Sequence, residues 1–402
     1  MIALVQTAFL GDVLLSIPLA RSLARVASAS GQPLVCVCRK GLKSILEETG
    51  LFRAVIEVEK KNTRSYDAAL AQILRDYGGL GATAPGSEGR PRRGSQNERG
   101  LESTIGRWPK HLFVVPHKSL RTRLWVRRAC RALGAKSIGF DQFGLSWLFT
   151  ETVNEPRELP DALRQLSLLQ SPLFSSWQTE LREPMAALAE FHLKQELSGG
   201  RFSTGALLPV PESLSMQLMG RSAIVASRQG DLVAIAPGSM WDTKRWDAVH
   251  YSELIAQLTR RGLQVSLIGS PEERELCDRI RSNVKDAGDR VQVLAGRMSL
   301  AETARYLATV QLLVCNDSGA MHLASLSQTE TVAIYGPTVL DFGYRPWSSV
   351  ATVIEPPYEL KCRPCGSHGH RKCPIGTHEC MHSILPETVL AAVLSRMQPS
   401  AR

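Results

Sequence analysis

The residues best placed to do chemistry stand in three short runs. The first, LVAIAPGSMWDTKRW, covers 232–246. It reads as a buried strand stopping at Pro237, a short loop, and an amphipathic helix that begins near Asp247. Gly238 lets backbone N–H groups approach a ligand, Ser239 adds a hydroxyl and Lys244 a cation. The helix that follows points its positive end at the same place, so the loop suits a diphosphate. An ordinary βα turn with exposed basic residues explains this loop, taken alone, equally well. Its spacing is neither that of the P-loop nor that of the dinucleotide fingerprint.

The second run is NDSGAMH, in which Ser318 and Gly319 leave N–H groups open at a helix start. Asp317 or Ser318 serves as an N-cap on the plainest reading, but the motif is richer than a cap needs. His322 lies four residues after Ser318 on the same helix face, and by itself reads as a satisfied helix histidine. Ser270 and Glu272, and then Gly336, Pro337 and Thr338, stand at two further strand ends. The third run, FLGDVLLSIP, puts Asp12 at a helix start, either as a cap or as a general base toward an acceptor hydroxyl. Together these runs describe a base on one domain and a diphosphate grip on another. That combination fits transfer from an activated nucleotide sugar, with Lys244 and helix-start amides stabilising the leaving diphosphate. No D-x-D motif accompanies the diphosphate position, which is consistent with a protein cation doing a metal's work.

The elements that must hold these residues alternate strand and helix. In the first half strands are expected at 2–6, 33–39, 54–58, 111–117 and 136–140, with a helix over 12–27 that Pro18 kinks. Further helices are expected at 42–49, 65–76 and 119–133. A segment rich in Gly, Ser and Arg, 78–110, reads as a mobile surface insertion. In the second half strands at 232–237, 263–270, 291–295, 312–316 and 331–335 alternate with amphipathic helices, the pattern of a parallel doubly wound sheet. The expected architecture is α/β, with two Rossmann-like domains facing across a cleft. Residues 1–205 form an acceptor-binding domain and 212–380 a nucleotide-sugar domain, and 381–402 is a C-terminal helix able to pack back on the first.

At 402 residues the chain is long enough for two cored domains, and its net charge of +10 asks for an anionic partner. No apolar run is long enough to span a bilayer. The N-terminus lacks a basic lead and carries Asp12 within its apolar stretch, so strand, turn and helix explain it better than an export signal. The nine cysteines are an odd number and several sit in expected strands, which points to reduced thiols in the cytosol.

The motifs GDVLLSIPLARSL, APGSMWDTKRWDAVHYSELI, VCNDSGAMHLAS and AIYGPT occur in the order and at the spacing of glycosyltransferase family 9. The chain thus resembles these lipopolysaccharide heptosyltransferases of Gram-negative bacteria over nearly its whole length. Its CRPC…CP…HECM stretch is most similar to the heptosyltransferase II branch. The resemblance implies a GT-B fold and inverting transfer of heptose from ADP-heptose to the inner core of lipopolysaccharide, with no cofactor required. It implies that Asp12 is the base and that Ser239 and Lys244 bind phosphate. It places Asp317, Ser318, Gly319 and His322 on the donor-binding turn, with Glu272 near a ribose-binding acid. Two departures are the long 78–110 insertion and Asp247, which replaces a proline common in the family.

The remaining charge is grouped. Helix 119–133 carries Arg121, Arg123, Arg127, Arg128 and Arg131, and Lys60, Lys61 and Arg64 follow the third strand. Lys60, Lys61, Arg64, Arg121, Arg123 and Arg127 are expected to grip an anionic core acceptor at the cytoplasmic face of the inner membrane. Cys362, Cys365, Cys373 and Cys380, interleaved with histidines, allow a structural metal site or a loop of free thiols. Two other functions compete: a GT-B transferase using another nucleotide sugar, and a nucleic-acid-binding protein. The basic insertion (Arg90, Arg92, Arg93, Arg99) suggests the latter, but it lacks interleaved aromatics for base stacking. The missing G-x-G-x-x-G argues against a nicotinamide enzyme.

Overall fold

The computed structural model describes residues 1–79, 108–197, 228–285, 288–348 and 351–397. The basic insertion and the expected domain boundary between 205 and 212 fall outside these residues apart from the insertion's ends. The chain divides into two units, Met1–His192 and Leu193–Arg402, each built on a six-stranded sheet.

The first sheet contains β1 (Ile2–Gln6), β2 (Leu34–Arg39), β3 (Ala54–Val58), β4 (Leu112–Val115), β5 (Lys136–Phe140) and β6 (Glu151–Val153). Its order is β3-β2-β1-β4-β5-β6, with every pair parallel. The second contains β7 (Gln229–Ala236), β8 (Gln264–Leu267), β9 (Val291–Val293), β10 (Val310–Asn316), β11 (Glu330–Ile334) and β12 (Ala351–Ile354). These are also all parallel, in the order β12-β11-β10-β7-β8-β9. Each sheet reverses its winding once, between β1 and β4 and between β7 and β10. Beyond the carboxyl ends of those strand pairs lies the crevice that doubly wound sheets use for ligands.

Burial on both faces explains the nearly unbroken apolar runs of the central strands, IALVQ in β1 and VQLLVCN in β10. In the first unit Ala3, Val5, Val35, Val37, Phe113 and Val115 join one cluster with Tyr66, Leu70 and Ile73 of helix Thr63–Tyr77 and Trp125 and Val126 of helix Leu120–Leu133. In the second, Val233, Ile235, Leu312 and Val314 pack with Leu254 and Leu258 of helix Ala248–Arg260 and Ile280 of helix Arg274–Asn283.

Four differences from the sequence-based expectations have physical causes. The single helix expected over 12–27 is two, Leu10–Leu14 and Ile17–Ala29; Pro18 occupies the first turn of the second, where a missing N–H costs nothing. Strands β6 and β12 are short edge strands whose residues carry little alternation. The predicted 263–270 strand ends at Leu267, because Ser270 caps a short 3₁₀ turn with Glu273. Helix Pro386–Met397, read as able to pack back on the first domain, packs on the second: its Val389, Leu390 and Val393 are buried against helix Ala248–Arg260, β10 and β11. That packing follows from its apolar stripe, which the sheet beside it covers.

Candidate active site

In the second unit, Asn316 ends β10 and is completely buried. Its amide nitrogen donates to the Pro237 carbonyl at 2.8 Å and to that of Gly238 at 3.2 Å. Its amide oxygen accepts the Trp246 N–H at 3.1 Å and the Tyr251 hydroxyl at 3.0 Å. One side chain thus fastens both ends of the loop after β7 to the end of β10. Arg245 tightens the same loop by donating twice to the Ser239 carbonyl, at 3.0 and 2.8 Å.

Within that frame Lys244 Nζ stands 2.6 Å from Asp317 Oδ2, which also accepts the Thr338 hydroxyl at 2.7 Å. The pair is largely buried, the two side chains being 12% and 6% exposed. A buried ion pair of this kind is worth little net, but removing one partner strands the other charge. Its role is therefore better read as placement. Lys244 is held at the switch point between β7 and β10, beside the start of helix Gly319–Leu326. Ser318 occupies the N-cap position of that helix but makes no side-chain cap hydrogen bond, and the Asp317 carboxylate is turned to Lys244 and Thr338 instead. His322 is buried with Nδ1 unpartnered, and burial pushes its pKa down to about 4, which keeps it neutral at pH 7. Ser239 is buried in the loop, its hydroxyl only 3.5 Å from the Trp241 N–H. Glu272 is exposed, whereas its neighbour Glu273 forms the cap of Ser270 and crowds Gly238, where a Cβ would meet its carboxylate at 1.9 Å. A side chain at 238 would therefore displace the Glu273 carboxylate from its capping contact.

The cysteine segment packs on this same loop. Thr243 exchanges hydrogen bonds with His370, and His378 Nε2 lies 2.9 Å from the Thr243 carbonyl. Cys365 donates its N–H to the Pro337 carbonyl, and Arg363 spans Gly336 and Thr338. Cys362, Cys365, Cys373 and Cys380 all line one cavity of about 260 Å³. The donors whose atoms lie within 4.8 Å of one another, among the described residues, are Asp247, His378 and His382.

In the first unit, Asp12 lies in the short helix Leu10–Leu14 that follows β1, with its pKa pushed up to about 6, chiefly by burial and then by the charge of Asp161. Gln165 links the two acids: its Nε2 donates to Asp161 Oδ2 at 2.6 Å and to the Asp12 carbonyl at 3.2 Å. Burial likewise holds the Asp161 carboxyl above its ordinary value. Neither Asp161 nor Gln165 stands out in the sequence, because their segment carries no clear period. His117, at the end of β4, was also missed; its Nε2 is buried and unpartnered, and burial lowers its pKa to about 4. Its place beyond a strand's end was the available signal.

The expected acceptor residues separate into groups. Lys60 lies over the Phe9 ring at 5.0 Å, Arg121 donates to the Lys60 carbonyl at 2.5 Å, and Phe9, Lys60 and Lys61 share a concavity of about 540 Å³. Arg64 is exposed as the second residue of its helix. Arg123 corrects the expectation: it is 1% exposed, lies over the Phe149 ring and donates to the Phe140 carbonyl. Arg127 stacks instead on Trp147.

Residues 130–374, more than half of the chain, match the family model "Glycosyltransferase family 9 (heptosyltransferase)". Lipooligosaccharide heptosyltransferase 2 of Campylobacter jejuni is 26% identical over 189 residues, 46% of this chain and 58% of that protein, so the chain spans little more than half of its length. Lipopolysaccharide heptosyltransferase 1 of an Escherichia coli strain is 32% identical over 255 residues, 60% of this chain and 71% of that protein. The solved structure of E. coli ADP-heptose lps heptosyltransferase II superposes with a TM-score of 0.62 at 19% identity, covering 99% of this chain and 98% of that one, and so shares the GT-B fold.

Two expectations follow from this geometry. Asn316→Ala leaves two loop carbonyls, an N–H and a hydroxyl without their buried partner, and is expected to cost roughly 2–4 kcal/mol in urea unfolding. A cost below about 0.5 kcal/mol would show that the loop holds itself in place. Asp161→Asn removes the like charge beside Asp12, so the Asp12 carboxyl should titrate at lower pH in an NMR titration. Burial persists in that variant and should keep it above an ordinary aspartate. An unmoved titration would show that the two acids are uncoupled.

Proposed function

This chain belongs to glycosyltransferase family 9, and on that premise we propose that it is an inverting transferase carrying L-glycero-D-manno-heptose from ADP-heptose to the inner core of lipopolysaccharide. The observation that carries this reading is Lys244, fixed 2.6 Å from Asp317 where β7 and β10 part. A cation anchored there, beside a helix start with N–H groups to spare, meets the charge that gathers on a departing diphosphate. The names of the relatives support a heptose donor and a lipopolysaccharide acceptor.

In the proposed reaction Asp12 takes the proton from the acceptor hydroxyl as its oxygen attacks the anomeric carbon. The bond to the diphosphate breaks on the opposite face, so a single displacement inverts the configuration. A pKa raised to about 6 leaves Asp12 ionised at neutral pH while bringing its basicity nearer to the working range. Lys244 and the N–H groups at Ser318 and Gly319 receive the ADP, with Ser239 completing the loop. Asp317 sets the position of Lys244, neutral His322 lines the donor side, and exposed Glu272 is left for the ribose. Because Lys244 carries the countercharge, this scheme requires no dissociable cation. Lys60, Lys61, Arg64 and Arg121 bind the phosphates or acidic sugars of the acceptor; buried Arg123 leaves that set. No helix among the described residues is long and apolar enough to cross a membrane. The proposed location is the cytoplasmic side of the inner membrane, in peripheral contact with it.

Incubation with ADP-heptose and truncated core acceptors, followed by product analysis, tests this reading. A heptosylated core of inverted anomeric configuration is expected, and no product with any core acceptor would refute it. Asp12→Ala should lower turnover by about two to four orders of magnitude with ADP affinity nearly unchanged. Near-normal turnover would remove Asp12 from the base role.

A further inference from the structure

Helix Leu120–Leu133 carries two faces with opposite duties. The inward one contributes Thr122, Arg123, Trp125, Val126 and Ala129 to the core. The outward stripe, at spacings of four, three and four, is Leu120, Leu124, Arg127 and Arg131. Both leucines are about half exposed, at 49% and 48%, although nothing in the helix's own folding requires apolar residues there.

A second element extends the stripe. The turn after β5 presents Phe143, fully exposed at 104%, and Trp147, exposed at 58%. Trp147 is nevertheless held: Arg127 lies 4.4 Å over its ring and donates to its carbonyl, and the indole N–H reaches the Gly144 carbonyl at 3.0 Å. An ordered tryptophan with its ring in water, beside a phenylalanine that touches little, is an unusual arrangement for a surface with no partner. The helix has no acidic residue. Asp141, in the turn, is taken by the Ser146 hydroxyl, and Arg128, on the adjoining face, is paired with Asp67.

We propose that Leu120, Leu124, Phe143 and Trp147, ringed by Arg127 and Arg131, form the surface by which this protein rests on an anionic lipid leaflet. Aromatic rings seat at the headgroup level, leucines reach the acyl boundary, and guanidinium groups meet the lipid phosphates. A protein partner or a second copy would need carboxylates to answer the arginines, and Asp141, the acid of this turn, is already engaged by the Ser146 hydroxyl. The inference rests on the proposed location at the inner membrane, and it separates Arg127 from the acceptor-gripping set near Asp12.

The test uses the full chain with neither donor nor acceptor present. Sedimentation with vesicles of phosphatidylcholine alone is compared with vesicles that also contain phosphatidylglycerol. Binding is expected to the anionic vesicles, to weaken as salt rises, and to fall at least about tenfold in the Phe143→Ser, Trp147→Ser double variant. Phe143→Trp should retain binding, and an unchanged unfolding midpoint shows that the double variant is folded. Transfer to a soluble, delipidated core acceptor should be unaffected in the double variant. Equal binding to both vesicle types, or full binding by the double variant, overturns the proposal. So does sedimentation equilibrium showing a dimer that the double variant breaks. Vesicle binding without any heptosyl transfer would sink the enzymatic reading and leave this surface standing. Transfer without vesicle binding would do the reverse.

Discussion

A single buried amide sets the geometry of the second unit's site. Asn316 has four hydrogen-bonding partners, and they come from the end of β7, the start of helix Ala248–Arg260 and its core. A carboxamide suits this position because it both donates and accepts, so two carbonyls, an N–H and a hydroxyl are all satisfied at once. Leucine fills similar space but leaves these groups orphaned in a dry interior, and aspartate brings a charge that the two carbonyls repel. Lys244 depends on this arrangement. Its loop is pinned before and after it, so the ammonium group meets Asp317 and Thr338 without a large entropic loss.

The ion pair itself has a double character. In a buried setting its Coulomb gain is largely cancelled by desolvation, so it contributes little stability. What it does supply is a lysine already stripped of much of its water and aimed at the switch point. An arriving diphosphate then meets a fixed cation, which costs little reorganisation when charge develops. In the first unit, burial and the neighbouring Asp161 raise the pKa of Asp12 to about 6. One carboxylate is thus kept as a partner for a cation and the other made more basic. The difference lies in their surroundings and not in their chemistry.

Much of this was legible in the sequence where burial leaves a compositional mark. Central strands are nearly apolar because both faces are covered, and β1 was bounded correctly on that ground; β3, at the sheet edge, and β5, which opens on exposed Lys136, were bounded correctly as well. The strand-end polar residues of the second unit could be read because doubly wound sheets bind ligands there; Lys244, Asp317 and Thr338 do converge. Arg123 could also have been placed: it falls three residues before Val126 and six before Ala129, on the apolar stripe of a helix otherwise crowded with arginine. Charge count concealed what periodicity carried. Asp161 and Gln165 were not legible, since their contact with Asp12 is made across about 150 residues of chain and depends on tertiary packing. Asn316 was visible as a strand-end residue, but its four partners were not.

The claim on which the rest depends is that Lys244 is the diphosphate grip, and calorimetric titration of ADP into wild type and Lys244→Ala tests it most directly. Affinity is expected to fall roughly tenfold to a hundredfold, as for loss of a charged hydrogen bond, in a variant whose unfolding shows it intact. Wild-type ADP affinity in that folded variant would contradict the account.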